Sequence, residues 1–309
     1  MSGSNFPGGF ANGVTIRGIP LTVAHPGEVF WVNSTAVLAK DAAAGSDGGR
    51  GDYRHPFATI DYAVGRCTAN RGDIIMVMPG HSEDISGASA LDLDVAGVAV
   101  VGLGTGTDRP DLNFSATGGT VDVAAANVTL YNLTLTADVS AVVVGVNVDA
   151  ADCTIDNCEF NFNETGDDFK TMIDVDTVDG FHLTNSKLLG EDNVAGPLIG
   201  VRLDTDTQTE IVNNFIISEF ATGAIVGEGA AGAQILIEGN KIYNADTAGG
   251  EVIDLNVAHT GMLVKNACGT LFTTAPETAF DPGSTLSIEN YVCNNIDESG
   301  TIVPPGIST

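Results

Sequence analysis

The chain is expected to be all-β: a single-stranded right-handed parallel β-helix of about eight coils with an N-terminal extended arm and a short capping helix. Three observations predict this. A pattern recurs every 24 to 30 residues, each copy carries an aliphatic residue at one fixed place, and an Asn or Gly follows it two residues later. Periods of about 20 to 50 residues belong to stacked supersecondary units. Local apolar alternation within each copy has period two, which marks strands and excludes helical repeats.

Taking the elements in order, residues 1–27 hold six Gly and three Pro with little periodicity and read as an extended, partner-binding arm. Residues 28–90 read as an N-terminal cap with a short helix and the first strands, and 91–309 as the parallel β-helix. A Gly and Asp loop, KDAAAGSDGGRGD, spans 40–52. Phe57, Ile60, Val64 and Cys67 are spaced for one face of a short helix, and Ile74 to Met78 for a buried strand stopped by Pro79 and Gly80. Such a helix would cover the open end of the stack.

The repeats follow as VAVVGLGT (98–105), VTLYNLTL (128–135), CTIDNCEF (153–160), FHLTNSKL (181–188), TEIVNNFI (209–216), ILIEGNKI (235–242), MLVKNACG (262–269) and LSIENYVC (286–293). Their pivots are Gly102, Asn132, Asn157, Asn185, Asn213, Gly239, Asn266 and Asn290. Asn and Gly tolerate positive φ best, so each pivot predicts a sharp bend, and the stacked Asn side chains predict a hydrogen-bonded ladder. Val100, Leu130, Ile155, Leu183, Ile211, Ile237, Val264 and Ile288 form the expected core column. A second alternating strand precedes each copy, as in VVVGVNVD (142–149) and IGVRLD (199–204). Each coil is therefore read as strand, turn, strand, Asn bend, strand.

The order Gly/Asp loop, PFATIDYA, then GDIIMVMPG resembles the start of the pectate-lyase-like β-helix superfamily. With PGGFANGVTIRG and HPGEVFWVNS added, the run over residues 6–104 is similar to β-helix virion proteins of tailed bacteriophages, which are thought to lie on the capsid. The resemblance implies a structural role and homotrimeric assembly, and it carries no catalytic residues.

Charge narrows the partners. The chain has 40 acidic against 12 basic residues, a net of -28, so nucleic acid and anionic membrane would be repelled. Residues 1–110 carry 11 acids and 7 bases, whereas 111–309 carry 29 acids and 5 bases. The first residues, MSGSNFPGGF, have neither the basic nor the apolar region of a secretory leader, and synthesis in a host cytoplasm is expected. Five cysteines without C-x-x-C spacing indicate neither a disulfide framework nor a zinc site. His25, His55, His81, His182 and His259 show no metal-ligand spacing.

Carboxylates on the second strand system, among them Asp122, Asp149, Asp174, Asp176, Asp204, Asp206 and Glu228, form an acidic face. Neighbouring outward positions on such a face lie about 5 to 7 Å apart, which meets the needs of many glycosidases and so distinguishes none. Asp174, Asp176, Asp204 and Asp206 are candidates for a weakly held calcium ion. A lyase would also need a base, and Arg202 is the only Arg between residues 110 and 309. Two RGD triplets, at Arg50–Asp52 and Arg71–Asp73, are read as loop and cap elements.

The expected function is a non-catalytic capsid cement or decoration protein on the virion exterior, without a cofactor, whose partners are the major capsid protein and copies of itself. Phe6, Phe10, Val14, Ile16, Val29, Phe30 and Trp31 are the candidate partner-binding residues. The alternative is a tail-fibre or tailspike protein that grips or degrades polysaccharide on the acidic face.

Overall fold

The computed structural model describes residues 14–16, 19–21, 27–34, 43–190, 197–247, 250–255, 259–271, 280–294 and 301–303. Phe6 and Phe10 lie outside them. Among the described residues three long sheets run side by side. Sheet I contains ten strands, from Val29–Val32 to Leu286–Ile288; sheet II contains ten, from Ser82–Asp84 to Thr301–Val303; sheet III contains eight, from Leu91–Asp92 to Phe280–Asp281. From Ile74 to Asp281 the chain visits sheets I, II and III in turn, which makes eight complete coils of a parallel β-solenoid. Spaced about 4.8 Å apart, the ten strands of sheet I span roughly 43 Å.

Each coil bends because particular residues adopt the left-handed conformation. Between sheets I and II these are Asn132, Asn157, Asn185, Asn213, Gly239, Lys265 and Glu289, with φ of 51° to 67°. A second left-handed column, Gly97, Asn127, Asp152, Gly180, Gln208 and Gln234, stacks where the chain re-enters sheet I. Gly239 suits its place twice over: its φ is 67°, and a Cβ there would come within 2.7 Å of Asn213 Oδ1. Gly102, expected as a pivot, is not left-handed: it ends the strand Ala99–Gly102, where a Cβ would lie 2.1 Å from the Asn132 carbonyl oxygen.

The inward column pairs in strict register as Phe30, Ile75, Val100, Leu130, Ile155, Leu183, Ile211 and Ile237. It then continues through Leu263 and Ser287, both fully buried, rather than Val264 and Ile288. Ile288 is instead 42% exposed. This corrects the expected column in the last two coils. The bends there are Lys265 and Glu289, one residue earlier than the expected pivots, and a one-residue slip turns every side chain to the other face.

The same slip divides the predicted ladder Asn132, Asn157, Asn185, Asn213, Asn266 and Asn290 between two positions. The first four occupy the bend. There Asn132 bonds the Gly102 carbonyl at 2.8 Å, Asn157 bonds Asn132 Oδ1 at 2.9 Å and Asn185 bonds Asp156 at 2.8 Å. Asn266 and Asn290 lie one residue past the bend and are fully buried in a continuous stack with Asn214 and Asn240. In that stack each Oδ1 accepts from the backbone N–H and the Nδ2 of the coil before, at 2.8 to 3.1 Å. Each Nδ2 also reaches a backbone carbonyl, Asn240 to Ile211 for example at 2.8 Å. Ser186 takes the next place, bonding Asn214 Oδ1 through its N–H and receiving Cys158 N–H on its hydroxyl.

The N-terminal end of the solenoid is closed. The helix is Ile60–Val64, capped by Thr59 Oγ1; Ile60 and Val64 are buried as the spacing predicts, Ala63 is buried with them, and Phe57 and Cys67 lie outside the helix. Phe57 is buried as well, while Cys67 is half-buried. Each sheet edge has its own cover: Trp31 and Asn33 bond the 51–57 loop, Ser34 Oγ accepts Ser82 N–H, and Asp61 accepts Asp92 N–H. Within the expected arm, Val14–Ile16 and Ile19–Leu21 form a short antiparallel hairpin, so this stretch is not simply extended. The expected boundary between 90 and 91 falls inside the first complete coil, of which Ile74–Val77 and Ser82–Asp84 are already members.

Candidate functional site

On sheet III the outward column reads Asp92, Asp122, Asn147, Asp174, Arg202, Val226, Asp254 and Asp281. Beside it Asp176, Asp204 and Glu228 pair across three coils. The acidic face therefore exists as read from the sequence, but many of its groups are already engaged. Asp174 is nearly buried and holds Arg202 in a bidentate pair, with Nε at 2.6 Å; Arg202 also lies 3.9 Å from Glu228. An arginine so paired is not available as a base. Asn147 donates to Asp122 and Asp149.

The four calcium candidates do not converge. Asp206 is fully buried and accepts the Val178 and Asp204 N–H groups, at 3.1 and 2.9 Å; burial pushes its pKa up to about 7. Asp204 accepts Ala230 N–H and the Thr205 hydroxyl, and these bonds lower its pKa. Asp176 is exposed and takes the Thr177 hydroxyl. Among the described residues no group of three or more His, Cys, Asp or Glu is placed to hold a metal ion. Of the four candidates, Asp174 is paired with Arg202 and Asp206 accepts two backbone N–H groups.

At the capped end, Val29 is 46% exposed and Trp31 is half-buried against Tyr53, ring centroids 5.1 Å apart. Phe30, by contrast, belongs to the core, packed on Phe57, and is not available to a partner. Val14 and Ile16 lie on the first strand of the hairpin. Ser34, His81 and Glu83 form a buried chain, with Ser34 Oγ 3.5 Å from Nδ1 and Nε2 3.1 Å from Glu83. The order imitates a nucleophile, base and acid. Its hydroxyl, however, is used by Ser82 N–H and C=O, and Glu83 accepts Ile60 N–H, so the chain fastens the cap. Both RGD triplets are likewise internal braces, Arg50 on Asp52 and Arg71 on the buried Asp73.

A polar cleft of about 480 Å³ opens on the outer face of sheet II, beneath the short 3-10 turn Gly106–Asp108. Asp111, Thr134, Glu159 and Lys187 line it as one register column, with Thr136 and Asn161 alongside. Arg109 Nη1 lies 3.4 Å and Lys187 Nζ 3.3 Å from Glu159 Oε2. Thr136 donates to Asp111 at 2.7 Å, and burial raises the Asp111 pKa. The sequence reading missed this cleft, although Thr134, Glu159 and Lys187 each stand two residues after a pivot.

The register defines the class of protein: a parallel β-solenoid of eight coils with three sheets. No protein-family model and no curated protein matches the chain. Among solved structures it is similar to a rhamnogalacturonan lyase, at 11% identity over 79% of this chain and 74% of that one, with a TM-score of 0.42. It is also similar to ORF18 of Geobacillus virus E2, at 11% identity over 76% of this chain and 57% of that one, TM-score 0.47. Pectate lyase Pel9A matches at 12% identity over 90% of this chain and 81% of that one, TM-score 0.42. At these identities the likeness concerns the fold alone.

Proposed function

We propose that the chain is a non-catalytic structural protein of a tailed-phage virion, a cement or decoration protein that binds the major capsid protein as a homotrimer and stands on the capsid exterior. The observation that carries this reading is polarity. The coils stack in chain order, so the difference between 11 acids with 7 bases up to residue 110 and 29 acids with 5 bases after it becomes a difference along the rod. The near-neutral end is held towards the shell by the arm and by Val29 and Trp31, and the acidic end is hydrated. Support comes also from the engaged carboxylates of sheet III, which leave little there for catalysis.

The test is deletion of residues 1–27 followed by rebinding to particles stripped of the protein. The truncated chain should stay folded and soluble and lose capsid binding. Undiminished binding would overturn the role of the arm, and release of reducing sugar from a polysaccharide by the intact chain would overturn the non-catalytic reading.

A further inference from the structure

We infer that the cleft on sheet II is a binding site for an uncharged, hydroxyl-rich saccharide, separate from the acidic face of sheet III and independent of where on a particle the chain sits. Composition is the first argument. The chain as a whole has 40 acids and 12 bases, yet this cleft is lined by two of each, Asp111 and Glu159 with Arg109 and Lys187. Locally balanced charge favours neither a cation nor an anion. It does offer acceptors and donors side by side, which is the demand a sugar hydroxyl makes, because it gives one hydrogen bond and accepts others.

The second argument is bonding. Arg109 is held to Glu159 by a contact of 3.4 Å, and among the described residues its buried Nε–H has no acceptor. Buried donors are normally paired, so this guanidinium gains bonds by turning onto an oxygen that enters the cleft. The floor is polar in the same way: the Thr134 and Thr136 hydroxyls stand on one strand and the Asn161 amide beside Thr136 on the next, about 4.8 Å away. Asp111, whose pKa burial raises, adds a carboxyl oxygen as an acceptor. Among the described residues no aromatic side chain lines the cleft, so binding should be weak, with Kd roughly millimolar.

The experiment presents the full chain to an array of immobilised neutral and uronate-bearing oligosaccharides, and follows retained glycans by titration calorimetry. Thr136→Val and Lys187→Met keep side-chain bulk at cleft positions, and Arg109→Ala removes the guanidinium; Asp176→Asn on sheet III is the control. Retention of a neutral glycan, weakened about tenfold or more by the cleft variants and unchanged by Asp176→Asn, is the expected result; loss of one hydrogen bond to a charged group has that size. Should Arg109→Ala fail to fold, the other two cleft variants decide. No retained glycan, a preference for uronates, or sensitivity to Asp176→Asn with indifference to the cleft variants would each overturn the assignment.

Discussion

Asn240 shows what a single residue contributes to a stack of coils. Its oxygen accepts from Asn214, and its amide donates to Ile211 and Asn266, all in a place without solvent. Asn240→Ala strands those partners, and each orphaned buried group costs about 1 to 3 kcal/mol. Asn213→Ala, on the exposed bend beside it, loses only the left-handed preference of Asn, about 1 kcal/mol. Chemical denaturation should therefore separate the two variants by roughly 2 kcal/mol or more, and equal effects would contradict the inner ladder. Acid groups give a second residue-scale prediction. Burial pushes Asp206 and Glu251 up to about 7, with Asp254 and Asp281 adding to Glu251. Unfolded carboxyls titrate near pH 4, so between about pH 4 and 7 the folded state holds more protons and these groups lose stability as pH rises. The melting temperature should fall from pH 5 to 7, and Glu251→Gln should flatten that slope; a rise over this range would contradict the burial of these acids.

At the scale of elements, the left-handed bend explains both what the sequence disclosed and what it concealed. Where Asn or Gly stood at the bend, as at Asn157 or Gly239, the residue type announced the conformation and the aliphatic column followed two residues earlier. In the last two coils the bend falls on Lys265 and Glu289, which do not advertise positive φ, and the neighbouring Asn266 and Asn290 attracted the register to themselves. Inner and outer asparagines sit on adjacent residues, so identity alone could not tell them apart; only the partner strand does. Lys265→Gly relieves a left-handed lysine whose side chain is largely exposed, and it should stabilise the chain by about 1 kcal/mol in denaturant titration. A loss of stability would mean that the lysine contributes more than its backbone costs. The capping helix was legible from apolar spacing, but the Ser34, Asp61 and Glu83 bonds that seat it were not, because they join residues far apart in sequence. The cleft on sheet II was hidden for a related reason: attention to acids on one strand system overlooked balanced charge on the other.

Over the whole molecule, ordered stacking converts one-dimensional composition into geometry. The chain carries a charge of -28 around a mainly apolar core, and that charge lies mainly beyond the second coil. On the proposed reading the N-terminal end meets one environment, and the acidic coils another. On this account the chain is a stoichiometric part of a particle shell. Quantitative mass spectrometry of purified virions and of tail-less heads tests this most directly. The account predicts the protein in both at a copy number comparable to that of the major capsid protein or a simple fraction of it. Absence from heads, or a few copies confined to the tail fraction, would contradict it.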